Sequence, residues 1–130
     1  MKKQLNKNLI ERFSRQIVLK NIGILGQKKI LASKVLIVGV GGLGSSAAEF
    51  LVRSGIGKLG IVDYDKVSLS NLHRQSLYET SHVGKSKVQV VKKILNRINP
   101  NTKVQTYNLK LNNNNFKKII KKYDYIVDGS

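Results

Sequence analysis

Lys34-Val35-Leu36-Ile37-Val38-Gly39-Val40-Gly41-Gly42-Leu43-Gly44 is the stretch whose reading decides the fold. Its first half is an unbroken β-branched and aliphatic run, the pattern of a strand buried on both faces of a parallel sheet. Its second half satisfies G-x-G-x-x-G at Gly39, Gly41 and Gly44, with Gly42 between them. Between a strand and a helix, such glycines make a tight turn, let backbone approach a phosphate, and let helix pack closely on strand. The N-terminus of the following helix favours anionic oxygens. Residues 41–54 read as that helix, with small residues at Ser45, Ser46, Ala47 and Ala48 and with Leu43, Phe50 and Leu51 expected to pack inward. Gly55 is its natural stop.

Residues 58–62 form a second short apolar strand that ends at Asp63. An acid about 20 residues beyond the glycine loop is placed to bind ribose hydroxyls. Strand, glycines, helix and acid together predict an adenine nucleotide, and NAD, FAD, S-adenosylmethionine and ATP all fit. Further along, Val88, Val91, Leu95 and Ile98 lie three and four apart, which predicts a helix over residues 84–98. Asn99-Pro100 ends it. Residues 103–109 alternate as a third strand, 116–123 read as a short lysine-rich helix, and 124–127 as a fourth strand. The four asparagines at 112–115 read as a loop expansion, with Asn115 available to cap the next helix. One or two helices, roughly over 5–19 and 23–31, precede the core.

The order β-α-β-α-β-α-β predicts an α/β fold, a Rossmann-like parallel sheet with helices on both faces. The expected organisation is a single nucleotide-binding domain over 1–130, with N-terminal helices at 1–32 and the core at 33–130.

Composition narrows the function classes. There is no cysteine, which excludes disulfides, thiolate metal sites and a cysteine nucleophile within this chain. No apolar run approaches the roughly 20 residues of a membrane span. Residues 1–16 lack the apolar core of a signal peptide, and Glu11 interrupts a transit-like basic helix. The expected compartment is the cytoplasm, or a plastid stroma if the lysine, asparagine and isoleucine bias reflects an AT-rich organelle genome. Lys+Arg number 24 against 7 Asp+Glu, a formal charge of +17. That excess attracts nucleic acid, anionic membranes or acidic proteins. No aromatic stacking platform or recognition-helix motif interleaves the lysines of 80–123, so nucleic acid is not an expected partner, and without an apolar span neither is a membrane.

The residues after Asp63 are more particular. Asp63-Tyr64-Asp65 leads into Val67-Ser68-Leu69-Ser70-Asn71-Leu72-His73-Arg74-Gln75, and upstream stands Arg12-Phe13-Ser14-Arg15-Gln16. With the glycine loop, Val83-Gly84-Lys85-Ser86-Lys87 and Arg97-Ile98-Asn99-Pro100, these motifs stand in register with one family. The sequence resembles the ThiF/MoeB family, the bacterial relatives of the ubiquitin-activating enzymes, and the likeness runs over residues 10–130. It is nearer to the branch that serves molybdopterin synthase than to the thiamine-pathway branch.

The resemblance implies binding of ATP and Mg2+ and adenylylation of the C-terminal glycine of a ubiquitin-like sulfur-carrier protein, with release of pyrophosphate. It implies catalytic roles for Arg15, Arg74 and Lys87. Arginine suits bidentate phosphate contact, and lysine acts as a point charge. Arg15 is implied to reach the triphosphate of a neighbouring subunit, hence a homodimer. Gly39, Gly41, Gly42, Gly44, Asp63, Ser70, Asn71, Leu72, His73, Arg74 and Lys87 are implied to form the nucleotide site. His73 stands where relatives often carry glutamine and is given no catalysis. Asp65 is read as ordering its loop, and Tyr78 and His82 as packing or surface residues. No metal ligand is assigned within 1–130, because the family's magnesium-binding aspartate, remaining strands and paired Cys-x-x-Cys zinc motifs would fall beyond Val127-Asp128-Gly129-Ser130. The expectation is therefore a C-terminally truncated chain that supplies the ATP-binding half and does not complete adenylylation alone. Two other readings fit fewer of the motifs: an NAD-binding oxidoreductase fragment, and a non-catalytic module that binds nucleotide or nucleic acid.

Overall fold

The computed structural model describes residues 4–130. Residues 1–3 of the expected N-terminal helical segment lie outside the described residues. Four parallel strands, β1 (Lys34–Val38), β2 (Lys58–Val62), β3 (Lys103–Tyr107) and β4 (Tyr125–Asp128), lie side by side in the order β3-β2-β1-β4. The chain steps outward from β1 in one direction through β2 and β3, then crosses back to add β4 on the other side. That reversal opens a crevice at the carboxyl ends of the strands.

Alternation along β1 explains why both faces are covered. Val35 and Ile37 point to one face, which α4 (Gly42–Ser54) and α5 (Lys87–Ile98) cover. Leu36 and Val38 point to the other, against Ile119 of α6 (Phe116–Ile120) and Tyr123. On the first face Ile37, Leu59, Ile61, Ala48, Val52, Val88, Val91 and Leu95 are fully buried. Each large aliphatic side chain among them contributes about 1.5–3 kcal/mol of transfer free energy, an upper estimate against an extended unfolded chain.

The inward face of α4 differs from expectation. Gly44, Ser45, Ala48 and Val52 are buried, whereas Leu43 is 80% and Phe50 66% exposed. The helix sits so close to β1 that only its small-residue face fits against the sheet. Leu43 and Phe50 are therefore turned outward.

The single helix expected over 5–19 is broken in two, α1 (Lys7–Arg12) and α2 (Ser14–Ile17). The break falls at Phe13, whose ring is buried with Leu9 and with Leu31 of α3 (Gly23–Ala32). Asn6 caps α1, its Oδ1 accepting the Leu9 N–H at 2.9 Å. Two amides tie this arm to the core. Gln16 Nε2 donates to Gln27 Oε1 at 2.7 Å and to the Ser54 carbonyl at 3.0 Å. Gln27, fully buried, donates to the same carbonyl at 3.0 Å. They satisfy an otherwise orphaned acceptor at the C-terminus of α4.

Two further boundaries shift for local reasons. Helix α5 starts at Lys87 rather than 84, because residues 84–86 run as a ribbon against 65–67. Val67 N–H donates to Lys85 O, Gly84 N–H to Val67 O and Lys87 N–H to Asp65 O. Asn115 does not cap α6 with its side chain. Its Oδ1 instead accepts the Asn112 N–H at 2.9 Å, while Asn112 Oδ1 accepts from Asn114 and Asn115. The asparagine run is an Asx turn at Asn112 closed by a reciprocal bond back from Asn115.

Candidate functional site

A cleft of about 950 Å³ opens at the carboxyl ends of the strands. Its floor is the turn from β1 into α4. Gly39 has φ +89, in the left-handed region that side chains rarely adopt, and its N–H donates to Val62 O at 2.8 Å. Gly44 is required by contact: a Cβ there would lie 1.7 Å from the Gly39 carbonyl oxygen.

The Val40 peptide between them is held from both sides. Asp63 Oδ2 accepts the Val40 N–H at 2.9 Å, and the Tyr78 hydroxyl donates to the Val40 carbonyl at 2.6 Å. Burial and then the charge of Asp63 push the Tyr78 phenol upward, so it stays protonated and donates. The other carboxylate oxygen of Asp63 accepts the Asp65 N–H at 2.8 Å. Each of these oxygens has a further lone pair, so the acid expected at the ribose is first a brace for the glycine loop.

Helix α4 begins at Gly42, and its cap position, Gly41, offers no side chain, nor is there an acid in the first turn. Its first amides and the positive end of its dipole are left for an anion. Arg74 and Lys87 both line the cleft beside this turn. The Arg74 guanidinium lies over Gly42, where a Cβ would stand 3.3 Å from its terminal nitrogen. Lys87, the first residue of α5, is only 5% exposed, with its ammonium 6.0 Å from the Tyr78 ring centroid. Neither makes an ion pair among the described residues. A buried ammonium is costly unless an anion meets it. Beside them Gln75, 2% exposed, holds a buried Oε1 with no partner among the described residues. The cleft thus carries positive charge and an unmet polar atom, the inverse of a finished core.

The structure brings Gly39, Gly41, Gly42, Asp63, Asn71, Arg74 and Lys87 to this cleft. It does not bring the others. Gly44 packs beneath the loop. The Ser70 hydroxyl is 3.0 Å from that of Ser68, and His73 Nδ1 is 3.0 Å from the Ser70 carbonyl. Leu72 packs against the core. Arg15 stands exposed on α2, outside the lining. The sequence reading missed the far wall, Leu109, Lys110 and Leu111 after β3, and Tyr64 after β2. Lys110 Nζ lies 5.9 Å from the Tyr64 ring centroid. Applying the carboxyl-end rule to every strand, rather than to β1 and β2 alone, would have found them. At β4, Ser130 donates its hydroxyl and its N–H to Asp128 Oδ1 at 2.5 and 3.1 Å, which holds that carboxyl below its usual range.

Among the described residues no three His, Cys, Asp or Glu side chains gather to hold a metal ion. No helix of the described residues is long and apolar enough to cross a membrane.

Comparison with known proteins agrees with this geometry. Over 127 residues the chain is 44% identical to a protein of Aedes aegypti named adenylyltransferase and sulfurtransferase MOCS3, covering 98% of this chain and 29% of that one. It is 40% identical over 124 residues to the sulfur carrier protein adenylyltransferase of Thermus thermophilus, covering 95% of this chain and 46% of that one. The solved structure of E. coli tRNA N6-threonylcarbamoyladenosine dehydratase with ATP matches with a TM-score of 0.88 at 26% identity, over 98% of this chain and 52% of that chain. The chain thus spans less than two thirds of the length of each of these proteins. Residues 13–130 match one family description from the first buried phenylalanine through the glycine loop to the end of β4, and the chain belongs to the ThiF family.

Proposed function

We propose that this chain binds ATP and supplies the nucleotide half of an adenylyltransferase acting on the C-terminal glycine of a ubiquitin-like sulfur carrier, in molybdopterin or thiamine biosynthesis. Lys87 carries the reading. A nearly buried ammonium with no ion-pair partner among the described residues, beside Arg74 and an uncapped helix N-terminus, is a site for a polyphosphate. The names of the two curated relatives and the ATP-bound solved structure support it.

In this reading residues 1–130 act as one domain, 1–32 preceding the core at 33–130. Asp63 accepts from the ribose hydroxyls, and Leu109 and Leu111 flank the base. Gly41 and Gly42 let the phosphates reach the amides of α4. Asn71 contacts the phosphates or their metal. Mg2+ takes most of its ligands from phosphate and water, as is usual for that ion. The carrier carboxylate attacks the α-phosphorus. A bond forms from a carboxylate oxygen to the α-phosphorus, giving an acyl-phosphate mixed anhydride, the bond from the α-phosphorus to the bridging oxygen breaks, and pyrophosphate leaves with the electron pair. Arg74 and Lys87 neutralise the charge that gathers on it. Arg15, outside its own cleft, acts on the triphosphate of a second copy. The compartment is the cytoplasm or a plastid stroma.

The test is a thermal-shift titration of the 130-residue chain with ATP–Mg2+ and, in parallel, with NAD. At a hundred times its dissociation constant a ligand specific for the folded form adds about 2.7 kcal/mol. Lys87→Met removes a charged contact of about 1.5–3 kcal/mol and is expected to weaken ATP roughly 10- to 100-fold. A larger shift with NAD than with ATP, or undiminished ATP binding by Lys87→Met, would sink the proposal.

A further inference from the structure

The end of the sheet opposite the cleft carries a different arrangement. Lys34, Lys58 and Lys103 are the first residues of β1, β2 and β3 and stand in register with one another. Register partners rise on the same face, and neighbouring strands lie about 4.8 Å apart, so the three stems form a row about 10 Å long. The face is the one α6 covers, since Lys58 Nζ lies 5.0 Å from the Tyr123 ring centroid. Lys122 joins the row from the turn between α6 and β4, close enough to act on Lys58.

Nothing negative balances this row among the described residues. From Thr80 to Val127 the only acidic residue is Asp124. Its Oδ2 accepts the Lys34 backbone N–H at 3.0 Å, and it makes no ion pair with these lysines. Like charges directly opposite on neighbouring strands repel. Partial burial first, and then Lys103, Lys122 and Lys34, hold the Lys58 ammonium below the usual lysine range. A fold that sets two such pairs side by side gains from a multivalent anion laid along them.

We propose that Lys34, Lys58, Lys103 and Lys122 form a docking surface for the phosphodiester backbone of a nucleic acid, bound without regard to sequence. Lysine is depleted from protein–protein interface cores, which rest on aromatic and arginine anchors. This row has neither: the one ring in it, Tyr123, is buried beneath Lys58. Phosphate backbones, by contrast, take lysine as a point charge. The expectation that nucleic acid is not a partner rested on the lack of a stacking platform or recognition-helix motif, and backbone binding needs neither. The row lies a full strand length, about 15 Å, from the nucleotide cleft, so both are occupied together.

The test is fluorescence anisotropy of the full chain with a labelled single-stranded oligouridylate. Four phosphate contacts at a slope of about 0.7 each predict an affinity loss of about 50-fold between about 50 and about 200 mM salt. Lys34→Gln with Lys103→Gln removes two exposed members of the row and cuts that loss to about 7-fold. Both variants keep the buried face and are expected to melt no lower than the parent. Lys122→Gln alone, with about a 20-fold loss, repeats the reading without touching a strand. The matched pair Lys28→Gln with Lys93→Gln, elsewhere on the surface, is expected to leave the slope unchanged. Equal effects from the two pairs would reduce the row to net charge and overturn the proposal. So would displacement of the RNA by ATP, or tighter binding of polyglutamate than of oligouridylate, which would assign the row to an acidic protein. A DNA oligomer run alongside tells which nucleic acid is preferred.

Discussion

Gly44→Ala tests the close packing of the glycine loop on its helix. The added methyl would lie 1.7 Å from the Gly39 carbonyl oxygen and 2.8 Å from its carbon. Ordinary contact requires a retreat of about 1.5 Å. Both sides of the clash are backbone, so no rotamer relieves it. The first turn of α4 must lift from β1 and loosen Val40, Ala48 and Val52, all fully buried. Two terms compete. Alanine is favoured over glycine in a helix by up to about 1 kcal/mol. Overpacking costs typically 1–3 kcal/mol, and a backbone clash belongs at or above the top of that range. The expected net loss is about 2 kcal/mol, a fall in Tm of roughly 6–10 °C for a chain of this size. Far-UV circular dichroism melts read it directly. Gly26→Ala in α3 is the matched control, since its methyl is tight only against the Ile22 side chain, at 3.1 Å, with the Asn21 carbonyl oxygen at an ordinary 3.9 Å. It is expected to stay within about 1 kcal/mol of the parent. A Gly44→Ala variant that melts at or above the parent would refute the reasoning.

Asp63→Ala removes both acceptors that brace Val40 and Asp65 and is expected to cost about 2 kcal/mol in urea unfolding, with Asp63→Asn losing about half of that; an unchanged urea midpoint would mean the loop stands without its brace. Stability is also expected to fall above pH 10. Tyr78, through burial and the Asp63 charge, and Tyr123, through burial and its Tyr107 partner, both have phenols raised above 10.0. The folded chain therefore keeps protons that the unfolded chain releases, and stability present below pH 10 is lost at about 1.4 kcal/mol per pH unit for each group. Lys58, lowered, works in the opposite sense as pH approaches 10.5. Comparing Tyr78→Phe with the parent isolates one phenol: the steepness of the decline should differ by that one group's share, and identical profiles would count against the assignment.

Much of this was legible because β1 is buried on both faces and the glycines follow it without a gap. The alternation of strand and helix, the two covered faces and four of the cleft residues, Gly39, Gly41, Gly42 and Asp63, descend from that one stretch and from Asp63, whereas Asn71, Arg74 and Lys87 were legible only through the family motifs. The misreadings share a cause. Leu43 and Phe50 were expected inside because burial usually follows hydrophobicity, but Gly44 against Gly39 dictates which face of α4 approaches the sheet. The break at Phe13 and the late start of α5 depend on partners far along the chain: Leu31 for the first, residues 65–67 for the second. A local pattern does not contain them. The far wall at Leu109 and Leu111 carries no motif at all and is defined only by where β3 ends.

The glycine loop also rests on β4. A Cβ at Gly39 would meet the Gly129 carbonyl and the Ser130 nitrogen at 3.1 and 3.0 Å, and Val35 of β1 pairs with Tyr125. During synthesis the loop at 39–44 emerges well before the strand that completes it. At about 5–20 residues per second the wait is roughly 5 to 20 s, during which one edge of β1 has no neighbour. The cleft cannot take its final form until the end of β4 has docked. A nascent chain that holds a ligand there has therefore already closed its longest-range pairing. Ligand bound in the cleft and the pairing of β1 with β4 are thus coupled through the contact of Gly39 with Gly129 and Ser130.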